Sequence, residues 1–184
     1  MKNKLKTEMG ERRNSLSRQD ILERSRKIES TLKKIKGYAS ARTAMFFVSF
    51  GSEVFTHIMI KDALKSKTVC VPKIYQRSME PSIILDLDSL VPSGPFAIPE
   101  PIELMKIAYK SIDVVLVPGL AFDKEGYRLG YGYGFYDVFL RKVPKALKIG
   151  LAFDFQIVDK VPREGHDVPV DIIVTEERIV ECRK

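Results

Sequence analysis

The chain contains no Trp, two Cys and two His among 184 residues. So few Cys and His cannot complete a structural zinc shell, and no CxxC pair is present. Cys70 and Cys182 stand apart in apolar surroundings, which excludes a disulfide framework and points to a reducing cytoplasm. Long hydrophobic runs are also missing. Met45-Phe46-Phe47-Val48 is typical of the longest, far too short to span a bilayer. The basic N-terminus leads into no apolar stretch and carries Glu8 and Glu11, so it does not read as a secretory or transit peptide.

What is present is the balance of a globular protein. At 45% apolar and 30% charged residues the chain is too hydrophobic to remain disordered, and its length suits one domain, 1–184. With 31 Lys+Arg against 24 Asp+Glu the net charge is +7. Charge of that size suits nucleic acid, a nucleotide or an acidic small molecule equally, or simply keeps the protein in solution.

An N-terminal helical segment is expected over 1–37. Leu5, Met9 and Leu16 share a face, with a break near Asn14-Ser15. Ser17 with Asp20 at the third helical position predicts an N-cap, and Ile21, Ile28, Leu32 and Ile35 repeat at helical spacing before Gly37, the expected stop. From Ala44 onward short apolar runs predict strands at Ala44–Ser49, Thr68–Val71, Ile83–Leu87, Val114–Val117, Leu147–Ala152 and Ile172–Thr175. Continuous runs such as Val114-Val115-Leu116-Val117 are the pattern of strands covered on both faces, hence of a mostly parallel sheet between helices. Helices are expected at Phe55–Ser66, Ile102–Lys106 and Phe135–Lys142, and a surface loop at Pro92, Pro95, Pro99 and Pro101.

The chemistry concentrates in Pro118–Asp137, which follows a buried strand and leads into a helix, where α/β proteins bind ligands. Gly130, Gly132 and Gly134 would leave backbone amides unobstructed at a helix N-terminus, a setting that favours phosphate, with Arg128 as a neighbouring cation. No Gly-Lys-Ser/Thr follows, and the G-x-G-x-G spacing is not the dinucleotide fingerprint. On the glycines alone, a structural turn and a ligand site are equally good readings. No Ser/His/Asp or Cys/His arrangement supports an enzyme nucleophile. His57 and His166 lack companions at ligand spacing, and Asp123 reads as a turn residue.

The run Pro118-Gly119-x-x-Phe122-Asp123, then Gly126-x-Arg128-Leu129-Gly130-x-Gly132-x-Gly134-Phe135-Tyr136-Asp137, resembles the signature of the 5-formyltetrahydrofolate cyclo-ligase family, also called 5,10-methenyltetrahydrofolate synthetase, at every fixed position. The likeness extends to the basic N-terminus, to Glu53-Val54-Phe55-Thr56, to Val71-Pro72-Lys73 and to Asp167–Asp171 with the strand after it. The resemblance implies an ATP- and Mg²⁺-dependent ring closure. 5-Formyltetrahydrofolate and ATP would give 5,10-methenyltetrahydrofolate, ADP and phosphate in a Rossmann-like α/β domain related to the sugar-phosphate isomerase and CoA-transferase group.

It also implies site residues. ATP would meet Lys2, Lys6, Arg128, Leu129, Gly130, Tyr131, Gly132, Tyr133, Gly134, Phe135 and Tyr136. The folate would meet Val48, Glu53, Tyr131, Gly132, Tyr133, Gly134 and Phe135. Asp137 and Asp171 would hold Mg²⁺. Tyr131 and Tyr133 occupy positions that carry basic side chains in some members, so the cationic charge must come from Arg128 and elsewhere.

The expected protein is a cytoplasmic monomer whose partners are small molecules, without nucleic acid or membrane. A sugar-phosphate isomerase should pair a carboxylate base with His, and an RNA-binding module should interleave aromatics with Lys/Arg on its strands. Neither pattern is found. A paralogue with another substrate is the remaining alternative.

Overall fold

The computed structural model describes residues 2–76, 78–94 and 97–182. Its helices are α1 (Lys2–Asn14), α2 (Arg18–Leu32), α3 (Lys36–Ser40), α4 (His57–Ala63) and α5 (Phe135–Lys142). Its strands are β1 (Thr43–Met45), β2 (Thr68–Tyr75), β3 (Ser78–Ile84), β4 (Leu90–Ser93), β5 (Ile98–Pro101), β6 (Val114–Val117), β7 (Ala121–Asp123), β8 (Arg128–Leu129), β9 (Leu147–Leu151), β10 (Ile157–Val158), β11 (Ile172–Val174) and β12 (Ile179–Glu181).

A seven-stranded sheet in the order β12-β11-β9-β6-β1-β2-β3 forms the frame. Its five inner strands are parallel, and β12 and β3 close the edges antiparallel. β6 lies at the centre, fully buried, because its residues alternate between two cores. Val114 and Leu116 join Ile28 and Leu32 of α2 and Ile60 of α4 on one face, while Val115 and Val117 join Phe139 and Leu140 of α5 on the other. A small sheet in the order β10-β7-β8 adds a third cluster, in which Met9 of α1 packs on Ala121, Leu129 and Val161. α1 is thereby docked beside the glycine-rich loop.

The break after Asn14 falls where expected, and Ser17 Oγ accepts the Asp20 amide while Asp20 accepts the Ser17 amide. Other boundaries differ from expectation. Gly37 lies inside α3 instead of stopping α2, which ends at Leu32; Ile35 continues the apolar repeat as a core contact, not as helix. Ile102–Lys106 is not helical. That segment lies along the edge of β3, where the Ile83 amide donates to the Met105 carbonyl and the Met105 amide donates to Ser82 Oγ, covering a strand edge that would otherwise be open.

β2 runs on to Tyr75 and pairs with a β3 that starts at Ser78, earlier than the expected Ile83. Pro72 is tolerated there because β1 pairs only with Thr68–Cys70, so the missing N–H is past the last ladder bond on that side. Pro92, Pro99 and Pro101 belong to the β4–β5 hairpin; Pro95 lies outside the described residues.

Two Asp side chains tie the N-terminal edge of the sheet. Asp113 Oδ2 accepts the Arg42 and Thr43 amides at 2.8 and 2.9 Å, and Asp171 Oδ2 accepts the Lys148 amide at 2.9 Å. Each carboxylate sits one residue before its own strand and grips the start of the neighbouring one.

Candidate active site

At the opposite, carboxyl edge of the sheet the chain after β1 carries Glu53, and the chain after β6 leads through the β7–β8 hairpin to the glycine loop. Gly132 has φ +111° and Gly134 φ +69°, backbone conformations that glycine adopts without strain. Gly134 is the N-cap of α5 and makes no side-chain cap, which leaves the first amides of that helix to a ligand.

Helix α1 lays two cations along this loop. Lys6 Nζ donates to the Tyr131 carbonyl at 3.1 Å and stands 3.2 Å from where a Cβ on Gly132 would be. Two helical turns on, Arg13 Nη2 donates to the Tyr131 hydroxyl at 2.6 Å and Nε to Ser52 Oγ at 3.1 Å. Ser52 Oγ in turn donates to Asn14 Oδ1.

Glu53 is 6% exposed, and one oxygen accepts the Phe50 amide at 3.2 Å. Burial pushes its carboxyl up to about 7 against the opposing pull of the Arg13 guanidinium and that amide bond. Burial, and after it the same carboxylate, holds the Tyr131 and Tyr136 hydroxyls above the ordinary tyrosine range. Tyr136 is half-buried, but its hydroxyl is sealed from water and has no hydrogen-bond partner among the described residues. Phe50 and Tyr131 face each other at 5.9 Å between ring centres, and the exposed Tyr133 stacks on Phe135 at 6.1 Å. The result is a loop of open amides with cations beside it, next to an aromatic cleft with a buried acid.

A family model described as 5-formyltetrahydrofolate cyclo-ligase matches residues 1–176. The chain belongs to that family. The mouse 5-formyltetrahydrofolate cyclo-ligase is 29% identical over 187 residues, covering 94% of this chain and 92% of that protein. The Escherichia coli K12 enzyme of the same name is 29% identical over 178 residues, covering 93% and 98%. The solved structure of Aquifex aeolicus 5,10-methenyltetrahydrofolate synthetase aligns with a TM-score of 0.89 at 33% identity, covering all of this chain and 93% of that one.

Among the residues that the cyclo-ligase resemblance singles out, the structure brings Lys6, Glu53, Gly132 and Tyr131–Tyr136 to one edge of the sheet. Arg128 does not reach into the loop. Its side chain is 5% exposed and committed to Asp137 Oδ1 and the Val168 carbonyl, both at 2.8 Å. Leu129 is packed in the small-sheet cluster and Val48 in the main core. Lys2 pairs with Glu164 at the surface.

Asp137 Oδ1 also accepts the Val168 amide, whereas its Oδ2 accepts nothing among the described residues. Carboxylate oxygens of this kind suit Mg²⁺. No group of three or more His, Cys, Asp or Glu is placed to hold a metal by itself among the described residues. Asp123 is a turn residue, as expected: Oδ1 accepts the Glu125 and Tyr127 amides and Oδ2 the Val161 amide. His57 stacks on Phe55 and bonds Ser49 Oγ. Among the described residues no helix is long and apolar enough to cross a membrane.

Sequence reading passed over Arg13. The signal was available: it lies seven residues after Lys6, on the same face of α1.

Proposed function

We propose that this cyclo-ligase family member converts 5-formyltetrahydrofolate and ATP into 5,10-methenyltetrahydrofolate, ADP and phosphate. The observation that carries the reading is the juxtaposition just described, in which Lys6 and the open amides of Gly132–Phe135 adjoin the buried Glu53.

The chemistry explains why ATP is consumed. The N5-formyl group is an amide, whose carbonyl carbon is a poor electrophile, and ring closure must remove its oxygen. A lone pair on that oxygen attacks the γ-phosphorus, and the bond to ADP breaks with its electrons remaining on ADP. N10 then attacks the activated carbon and loses its proton, and the C–O bond breaks to release phosphate. No enzyme nucleophile takes part, so catalysis rests on positioning and charge neutralisation. The loop amides and Lys6 would seat the ATP phosphates. Glu53 would meet the polar edge of the folate, with Tyr131, Tyr133 and Phe135 against its rings.

Mg²⁺ would be held by Asp137 and would supply neutralisation of phosphate charge; Asp171, expected as its second ligand, lies at the opposite edge of the sheet, where its carboxylate accepts the Lys148 amide. The working form would be a cytoplasmic monomer with these two small molecules as its partners. The test is to follow methenyl product by its absorbance with pure protein, 5-formyltetrahydrofolate and ATP, with Mg²⁺ present or chelated. ATP-dependent product supports the reading; a well-folded protein that makes none overturns it in favour of another substrate.

A further inference from the structure

We propose that Arg13 binds the phosphoryl group while it passes from ATP to the folate. The inference deepens the reaction proposed above and rests on it.

Arg13 is 6% exposed, yet among the described residues it forms no ion pair. Its two hydrogen bonds go to neutral hydroxyls, those of Ser52 and Tyr131, and Nη1 has no partner among the described residues. Arg128, equally buried, behaves in the opposite way and is paired with Asp137. Arg24, Arg163 and Arg178 each have a carboxylate as well. A buried cation without a counterion is costly and persists where an anion is to arrive. The acid that interacts with it electrostatically, Glu53, is only a partial counterion, because burial favours its protonated form around neutral pH.

Position defines which anion. The guanidinium bridges Tyr131, in the loop that would hold ATP, and Ser52, the residue before the acid that would meet the folate. Lys6 lies seven residues earlier on the same helix, against Gly132, and marks the course of the phosphates. The group that travels from one half-site to the other is the phosphoryl. As the formyl oxygen bonds to phosphorus and the bond to ADP breaks, the charge on the three peripheral oxygens needs a partner, and a planar guanidinium pairs with two of them at once.

The experiment compares wild type, Arg13→Met and Arg13→Lys. Arg13→Met should lower kcat about 100-fold or more while the folate KM moves less than about threefold. Free guanidinium at millimolar concentration should restore part of the activity, which a packing role would not allow. Without ligand, Arg13→Met should melt at or above the wild-type temperature, because an uncompensated charge has gone.

Binding is read separately from turnover with ADP and with a β,γ-methylene ATP analogue. Wild type should gain more melting temperature from the analogue than from ADP, and Arg13→Met should lose that difference. Arg13→Lys, which keeps the charge but not the fork, should fall between. A lowered melting temperature without guanidinium rescue, or an undiminished difference between analogue and ADP, overturns the proposal. If wild type itself turns over no folate, the reaction reading fails, while the comparison of analogue and ADP still decides the role of Arg13.

Discussion

Arg128 and Asp137 hold each other 2.8 Å apart with the guanidinium almost sealed from water. The same Arg reaches the Val168 carbonyl and the same Asp takes the Val168 amide, so the pair clamps the chain leading to β11 onto the start of α5. Asp137→Ala leaves a buried guanidinium without its counterion and should cost about 3 kcal/mol. In urea denaturation, Arg128→Met with Asp137→Leu should lose clearly less than the sum of the single changes. Additive losses would show that the pair contributes nothing as a pair.

Glu53 gives stability a pH dependence of predictable sign. Its folded value is raised to about 7 from an ordinary carboxylate 4.5, so the folded state holds the proton over a range where the unfolded chain has released it. The contribution is therefore fully present below about pH 4.5, falls as pH rises, and is gone above about 7. At ~1.4 kcal/mol per unit the whole change is about 3 kcal/mol. Glu53→Gln should thus be stabilised relative to wild type at pH 8 and not at pH 4. Equal differences at the two pH values would mean that Glu53 does not titrate in this window.

Gly132→Ala and Gly130→Ala should separate two kinds of glycine within one loop. At Gly132 a side chain meets both a φ of +111° and the Lys6 ammonium, so the change should cost about 1–3 kcal/mol and raise the ATP KM several-fold. At Gly130 nothing lies within 4 Å and no such φ is required, so kinetics should stay within about twofold. Equal effects at both positions would remove the special place of Gly132 beneath Lys6.

Asp171 can be tested as a strand clamp against its counterpart Asp113. In EDTA, Asp171→Ala and Asp113→Ala should each lose about 1–2 kcal/mol, the cost of leaving strand amides without their acceptor. Full stability of Asp171→Ala in EDTA, with a raised Mg²⁺ requirement for turnover, would assign that side chain to the ion alone.

The parts of the fold that were legible in the sequence are those whose pattern is local. Val114–Val117 reads as a central strand because both its faces are covered, and the Ser17–Asp20 box announces α2 within four residues. The strands β7, β8 and β10 are two or three residues long and exist only through pairing with distant chain, so no periodicity reports them. Ile102–Lys106 has the composition of a helix, but the open edge of β3 draws it into extended pairing. The site divides in the same way. Its glycines alternate within five residues and are visible, whereas the roles of Arg13 and Arg128 depend on which helix and which loop meet in space.

The contacts that join α1 to the glycine loop span 125 residues for Lys6 and 118 for Arg13. During synthesis at about 5–20 residues per second, α1 therefore waits on the order of ten seconds for its docking surface. It waits with few apolar side chains to hide, since Met9 is its one buried apolar residue and Leu5 is only partly covered. Such a helix can stay solvated beside the ribosome without seeding aggregation. The grip on anions is then among the last features to assemble, and a chain interrupted before Tyr131 would carry Lys6 and Arg13 with no loop for them to hold.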